Sequence, residues 1–143
     1  MLFSEADGQK VVSNATAGTV GKVHGLVVDP ASRQVVALEL KKTDGGDTLA
    51  WEDIAAFGAD AVTVADAEAI GEPSEAVAEL TGKDHRLVGK RALSDGGDEL
   101  GKVKDVVFDP ENGAITGLVV EKEELAGERL IGVGSYAVVV KAE

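Results

Sequence analysis

The hydrophobic positions of this chain fall into short runs separated by glycine, aspartate and proline, a pattern typical of β-strands. Residues 20–29 and 34–41 are rich in valine and leucine and have the length of strands. Between them, Asp29 can bond its own downstream backbone and Pro30 presets a turn angle, so we predict a β-hairpin. Shorter strands are predicted at residues 49–51, 61–64, 130–133 and 137–140.

The hairpin pattern occurs twice. Residues 21–42 align with residues 101–122 at an offset of 80, with 8 identities in 22 positions. Upstream the offset becomes 81, and downstream, from Gly58 and Gly134 onward, it becomes 76. Because three collinear blocks agree, we predict two copies of one small domain.

The two copies are predicted to span residues 1–66 and 84–143, with a helical linker over residues 67–83. Near the end of the first hairpin strand, at residues 26–28, and again at residues 106–108, both alternating faces are apolar. A strand buried on both faces favours a strongly curled sheet. The predicted fold is therefore all-β, with two small β-barrels in tandem related by pseudo-two-fold symmetry.

The linker carries the signals of one short helix of two to three turns. Ser74 is a typical N-cap residue, and Gly82 is a typical residue just after a helix end. The apolar stripe through Val77 and Leu80 is expected to cover part of the junction between the barrels. Trp51 is expected to lie half-buried at a barrel edge under this helix.

Repeated turn chemistry accounts for most of the distinctive residues. The tetrapeptide Asp-Gly-Gly-Asp occurs at residues 44–47 and 95–98 and predicts hairpin turns. Calcium binding is the alternative, but neither copy has the spaced acids of a calcium loop. We assign to structural turns the residues Gly21, Asp29, Pro30, Gly101, Asp109, Pro110 and Gly113.

The amino-acid composition excludes several kinds of functional site. The chain has no cysteine, which excludes disulfides and cysteine-ligated zinc. Its two histidines are far apart in sequence: His24 is expected to face solvent in mid-strand, and His85 lies near the linker exit. We predict no catalytic residue, no metal site and no cofactor.

Charge is distributed unevenly along a chain of net charge −12. Residues 1–80 carry a net charge of −9 and residues 81–143 only −3. The overall acidity argues against binding to nucleic acid. The candidate partner surface is a basic cluster of Lys83, Arg86, Lys90, Arg91, Lys102 and Lys104.

The N-terminus lacks the basic start and long apolar run of a secretory signal. No apolar run approaches the roughly 20 residues that a spanning helix needs. We therefore expect a cytoplasmic protein without membrane insertion.

The repeated unit resembles a known family, the PRC-barrel. The resemblance rests on the Gly-Lys-Val start at Gly21 and Gly101, the Asp-Pro turns at Asp29 and Asp109, and the later valine-rich strands. This family takes its name from the cytoplasmic part of the photosynthetic reaction-centre H subunit and includes a domain of a ribosome-maturation factor. The resemblance implies a small β-barrel and offers no catalytic residue to carry over.

These observations favour a non-enzymatic adaptor of the PRC-barrel type, as a monomer with paired barrels or as a homo-oligomer. It is expected to bind another protein through a barrel face or an exposed strand edge. The acidic surface predicts a partner with a basic face and salt-sensitive association. The alternative is a sensor that binds a small ligand or metal ion in the cleft between the barrels. An enzyme is the third hypothesis, and the sequence offers it the least support.

Overall fold

The structure, a computed structural model, describes residues 1–43, 45–81, 85–121 and 123–142 of the 143-residue chain. These residues form two short α-helices, α1 (Phe3–Ala6) and α2 (Glu75–Ala78), and thirteen strands. In the first half the strands are β1 (Lys10–Ser13), β2 (Thr19–Asp29), β3 (Gln34–Lys41), β4 (Thr48–Ala50), β5 (Ile54–Phe57), β6 (Ala61–Val64) and β7 (Ile70–Gly71). In the second half they are β8 (Arg91–Ser94), β9 (Glu99–Phe108), β10 (Ile115–Val120), β11 (Glu124–Ala126), β12 (Leu130–Val133) and β13 (Ala137–Val140).

The two sheets have the same strand order. The first sheet runs β5-β6-β1-β2-β3-β4-β7, and the second runs β12-β13-β8-β9-β10-β11. In each sheet the first strand pairs antiparallel with the second, β1 with β2 and β8 with β9. Each sheet also contains one parallel pair, β1 with β6 and β8 with β13. The all-β prediction with two barrel-like domains is confirmed. Among the described residues, β7 has no counterpart in the second sheet.

A pseudo-two-fold axis relates the copies where the tips of their long hairpins meet. Gln34 and Ala114, which are equivalent at the offset of 80, form an antiparallel bridge with each other. The N–H of Val35 donates to the carbonyl of Gly113 over 2.7 Å. At the equivalent position, the N–H of Ile115 donates to the carbonyl of Arg33 over 2.8 Å. Bonds exchanged between equivalent residues are the mark of an isologous contact.

One hydrophobic core runs through both copies. Phe108 of the second copy is 1% exposed, and its ring centroid lies 5.4 to 6.3 Å from those of Phe3, Trp51 and Phe57 of the first copy. The N-terminal segment adds backbone contacts, because Leu2 bridges to Val107. The barrels therefore share a contact surface, as the predicted paired arrangement requires.

Several turn predictions are confirmed in detail. The Asp29 side chain accepts from the N–H of Ala31 over 3.0 Å, and the Asp109 side chain accepts from that of Glu111 over 2.8 Å. Pro30 and Pro110 follow these aspartates in the turns. Residues 95–98 join β8 to β9 as a hairpin turn, whereas Asp44 of the other tetrapeptide lies outside the described residues.

Gly21 and Gly101 were wrongly assigned to turns. Both lie inside strands, β2 and β9, where Val11 pairs with Gly21 and Ala92 with Gly101 next to equivalent register shifts. A bulge with a glycine on the long strand bends the strand without ending it, which the sequence pattern alone does not separate from a turn. Gly101 has a φ of +105° at this point.

The linker also differs from the prediction. Helix α2 is a single turn, capped by the Ser74 hydroxyl, which accepts from the N–H of Val77 over 3.3 Å. Four residues without a buried position cannot sustain more turns, since most helix stability in proteins comes from packing. Gly82 lies outside the described residues. The boundaries at residues 66 and 84 stay a prediction.

Trp51 is half-buried, as expected, but α2 is not its main cover. It stacks on Phe57 at 5.8 Å and packs edge-on against Phe108. Strand β4 ends at Ala50, one residue earlier than predicted, and Trp51 begins a 3-10 turn. Val77 lines a cavity with Trp51 and Asn112, so it does lie near the junction.

Candidate partner surface

The basic cluster is built on the hairpin of β8 and β9. Arg91 lies directly opposite Lys102 in the antiparallel register, so both side chains leave the same face of the sheet. Lys104 follows two residues later on β9 and is exposed, as are Arg91 and Lys102. The strand geometry therefore places three cations in one row. We call the row of Arg91, Lys102 and Lys104, with Tyr136 beside it, the basic strip.

Tyr136 forms the aromatic end of the basic strip. Its side chain is 68% exposed, the highest value among the large hydrophobic residues exposed on the described surface. The Arg91 guanidinium carbon lies 5.1 Å from the centre of the Tyr136 ring, and Arg91 Nη1 donates to the Tyr136 hydroxyl over 3.3 Å. A guanidinium over an aromatic face is held by a cation–π attraction.

Two glutamates face the cations of the strip. Arg91 Nη1 lies 3.2 Å from Glu99 Oε1, and Lys104 Nζ lies 3.9 Å from Glu121 Oε1. The side chains of both pairs are between 44% and 60% exposed. Exposed pairs of this kind contribute at most about 1 kcal/mol, so an incoming carboxylate can replace them at small cost.

The remaining members of the predicted cluster have different places. Arg86 is exposed and lines a groove at the junction together with Lys104. Lys90 is partly buried just before β8. Lys83 lies outside the described residues. The structure thus gathers Arg91, Lys102 and Lys104 in the strip and brings Arg86 to the groove that Lys104 also lines.

The groove crosses the junction of the two copies and has a volume of about 340 Å³. His24 and Lys104, which are equivalent at the offset of 80, both line it, so the groove straddles the pseudo-two-fold axis. His24 is exposed in mid-strand, as predicted. Ser4 on the opposite wall donates from its hydroxyl and its N–H to the carboxylate of Asp105. This is the cleft that the ligand hypothesis requires.

The sequence did not predict two features of this candidate surface. Tyr136 reaches Arg91 because β13 runs parallel to β8, a pairing of residues 45 apart that no local pattern announces. The first copy holds a second basic pair, Lys10 opposite Lys22. The alignment of the two copies indicates this pair, because Lys10 aligns with Arg91 and Lys22 aligns with Lys102.

Among the described residues, no group of three or more His, Cys, Asp or Glu side chains could hold a metal ion. In the same part of the chain, no helix is long and apolar enough to span a membrane.

The two barrel-like β-domains place this chain in the general class of small all-β barrel proteins. The model of the PRC-barrel domain family matches residues 81–143, so this part of the chain is similar to PRC-barrel domains. A search of curated proteins finds no match to this chain. The first half, which the family match does not reach, has the same strand order.

Proposed function

We propose that this chain is a non-enzymatic adaptor that binds an acidic segment of a partner protein through the basic strip. The observation that carries the proposal is Arg91 held over the exposed ring of Tyr136. Arginine and tyrosine are the residue types most enriched at the energetic centres of protein interfaces. The tyrosine ring offers large contact area with few freely rotating bonds, and its contact with Arg91 restricts the longer arginine side chain.

Acidic groups on the partner fit the chemistry of the strip. A guanidinium presents a planar fork that matches a carboxylate with two hydrogen bonds. Lys102, directly across from Arg91, adds a second positive charge on the same face. Since the whole chain carries a net charge of −12, this strip orients an acidic partner toward one face and away from the rest.

The test is a comparison of two charge-reversal variants in capture from native cell extract. Arg91→Glu with Lys102→Glu removes the strip, while Lys10→Glu with Lys22→Glu makes the same charge change at the equivalent pair of the first copy. That pair is a matched control because Asp60 stands where the second copy has Tyr136.

We expect a near-stoichiometric partner at low salt whose yield falls about tenfold with the strip variant and stays within about twofold with the control. Moderate salt should lower the yield, because exposed charges are screened. Equal loss with both variants would contradict the proposal, since it would show a general charge effect. An eluate without a retained protein would also contradict it.

The groove supports a second candidate function, binding of a small ligand between the copies. Its observation is one cavity at the axis, lined by apolar residues, by His24, Arg86 and Lys104, and by the carboxylates of Asp7, Glu39 and Asp105. Because both signs of charge line the cavity, thermal-shift screening of small zwitterions should raise the Tm of the native chain but not of Arg86→Ala. A calcium titration that leaves the Tm unchanged would remove the metal version of this hypothesis.

A further inference from the structure

Strand β11 is the edge of the second sheet, and its counterpart β4 in the first sheet is not an edge. The two strands have the same register: Leu38 pairs with Leu49 in one copy, and Leu118 pairs with Leu125 in the other. In the first copy β7 adds to the outer side of β4, with Thr48 opposite Gly71. Within residues 1–43, 45–81, 85–121 and 123–142, no strand pairs with the outer side of β11.

The backbone of Glu124 points toward this open side. The N–H of Val120 donates to the carbonyl of Glu123 over 2.9 Å, so residues 120 and 123 form a hydrogen-bonded pair. Hydrogen-bonded and non-hydrogen-bonded pairs alternate along antiparallel strands, which turns the N–H and C=O of Glu124 away from β10. The same alternation, starting from Leu40 and Asp47, turns the backbone of Thr48 toward β7.

The side chains on β4 and β11 differ in exposure in the same way. Thr48, covered by β7, is 8% exposed, whereas Glu124 at the equivalent position is exposed. In the first copy Ile70 of β7 packs against the core and lines a cavity with Val20. The counterpart of Val20 in the second copy is Leu100, which is partly buried on the core surface. An apolar side chain placed on β11 as Ile70 is placed on β4 would meet Leu100.

We propose that β11 binds an extended segment of a partner protein as an added antiparallel strand, with an apolar residue flanked by basic side chains. The first copy supplies the template, because Ile70–Gly71 occupies the equivalent edge. We expect basic residues on both sides of the apolar residue of the partner, because residues 121–129 carry four glutamates and only two basic residues. A second copy of this chain is disfavoured, because pairing two such edges brings like charges together.

This edge lies next to the basic strip, whose Lys104 reaches Glu121 over 3.9 Å, but it takes a partner of opposite charge. The probe is a synthetic peptide that carries the Ala-Ile-Gly sequence of residues 69–71 between two lysines on each side. Binding to the full-length chain is followed by backbone amide NMR shifts. Two control peptides replace the isoleucine by proline or the four lysines by glutamates.

We expect shifts at residues 123–126 and at Leu100, and no binding of either control peptide. Glu124→Pro should weaken binding about tenfold, because it removes the outward N–H while leaving the bonds to β10. Glu124→Gln, which keeps the N–H, should weaken it only about twofold to threefold. If Glu124→Pro lowers the Tm markedly, Glu124→Lys replaces it, with the same expected direction.

Three results would overturn the inference: undiminished binding to Glu124→Pro, equal binding of the glutamate-flanked peptide, or no shifts near β11 at millimolar peptide. A concentration-dependent dimer in light scattering that Glu124→Pro disperses would assign the edge to a second copy instead. The basic strip is tested separately, because its variants Arg91→Glu and Lys102→Glu should bind this basic peptide at least as tightly as the native chain.

Discussion

Gly113 shows how a single residue adjusts one side of a nearly symmetric junction. It has a φ of +80°, and a Cβ at this position would lie 2.9 Å from the Val35 carbonyl oxygen and 3.1 Å from the Trp51 ring. The equivalent residue in the first copy, Arg33, also has a positive φ of 58°. Arg33 uses its side chain across the junction, where its Nε donates to the Leu130 carbonyl over 2.8 Å. The Val35 carbonyl and the Trp51 ring together thus leave room only for a glycine on one side, while the other side accepts an arginine.

Gly113→Ala should lower the free energy of unfolding by about 2–4 kcal/mol, the sum of left-handed strain and a clash in a packed junction. Gly97→Ala is the matched control, because Gly97 has a φ of +90° with nothing within 4 Å of the added Cβ. It should cost only about 1–2 kcal/mol. Urea denaturation of both variants measures the difference, and equal losses would show that the contact with Trp51 is unimportant.

At the scale of elements, the N-terminal segment joins the two sheets. The Met1 amino group donates to the Phe108 carbonyl over 2.8 Å, and the Phe108 N–H donates back to the Met1 carbonyl over 2.8 Å. Phe3 on α1 packs edge-on against the Phe108 ring at 5.6 Å. The segment therefore covers the end of β9 and acts as a further strand-like contact of the second copy.

Removal of residues 1–6 should destabilise the chain by about 3–5 kcal/mol, because it uncovers the Phe108 ring and leaves backbone groups of β9 without partners. Thermal denaturation with intrinsic tryptophan fluorescence measures the change, since Trp51 lies in the same aromatic cluster. A Tm within 2 °C of the native value would contradict this role for the segment.

Local pattern explains why some elements were predictable and others were not. The hairpin of β2 and β3 follows from apolar runs around Asp29 and Pro30, and its repeat predicted the hairpin of β9 and β10. Strand β7 and α1 are held by distant partners, so no local pattern marks them. The sequence placed Arg91 in the predicted basic cluster, but its contact with Tyr136 depends on the parallel pairing of distant strands. The cations of the site were therefore predictable, and its aromatic part was not.

At the scale of the molecule, the two copies depend on each other. A unit of about 60 residues buries only about 60% of its unfolded surface and is marginally stable alone. Here the aromatic cluster around Phe108 and the bonds between the hairpin tips complete both units. The paired arrangement also sets the groove at the axis.

The separate halves, residues 1–81 and 82–143, should therefore be unfolded or self-associated, and an equimolar mixture should recover cooperative unfolding. Circular dichroism and light scattering on each half and on the mixture measure this. A monomeric second half that unfolds cooperatively at the Tm of the intact chain would contradict a shared core.

The most direct test of the binding face is site-specific photo-crosslinking in cells. A photoreactive amino acid replaces Tyr136 in one variant and Asp60, its equivalent in the first copy, in the other. We expect a discrete crosslinked adduct at position 136, lost when Arg91→Glu is added, and none at position 60. The absence of an adduct at position 136, or the same adducts at both positions, would contradict a partner bound at the basic strip.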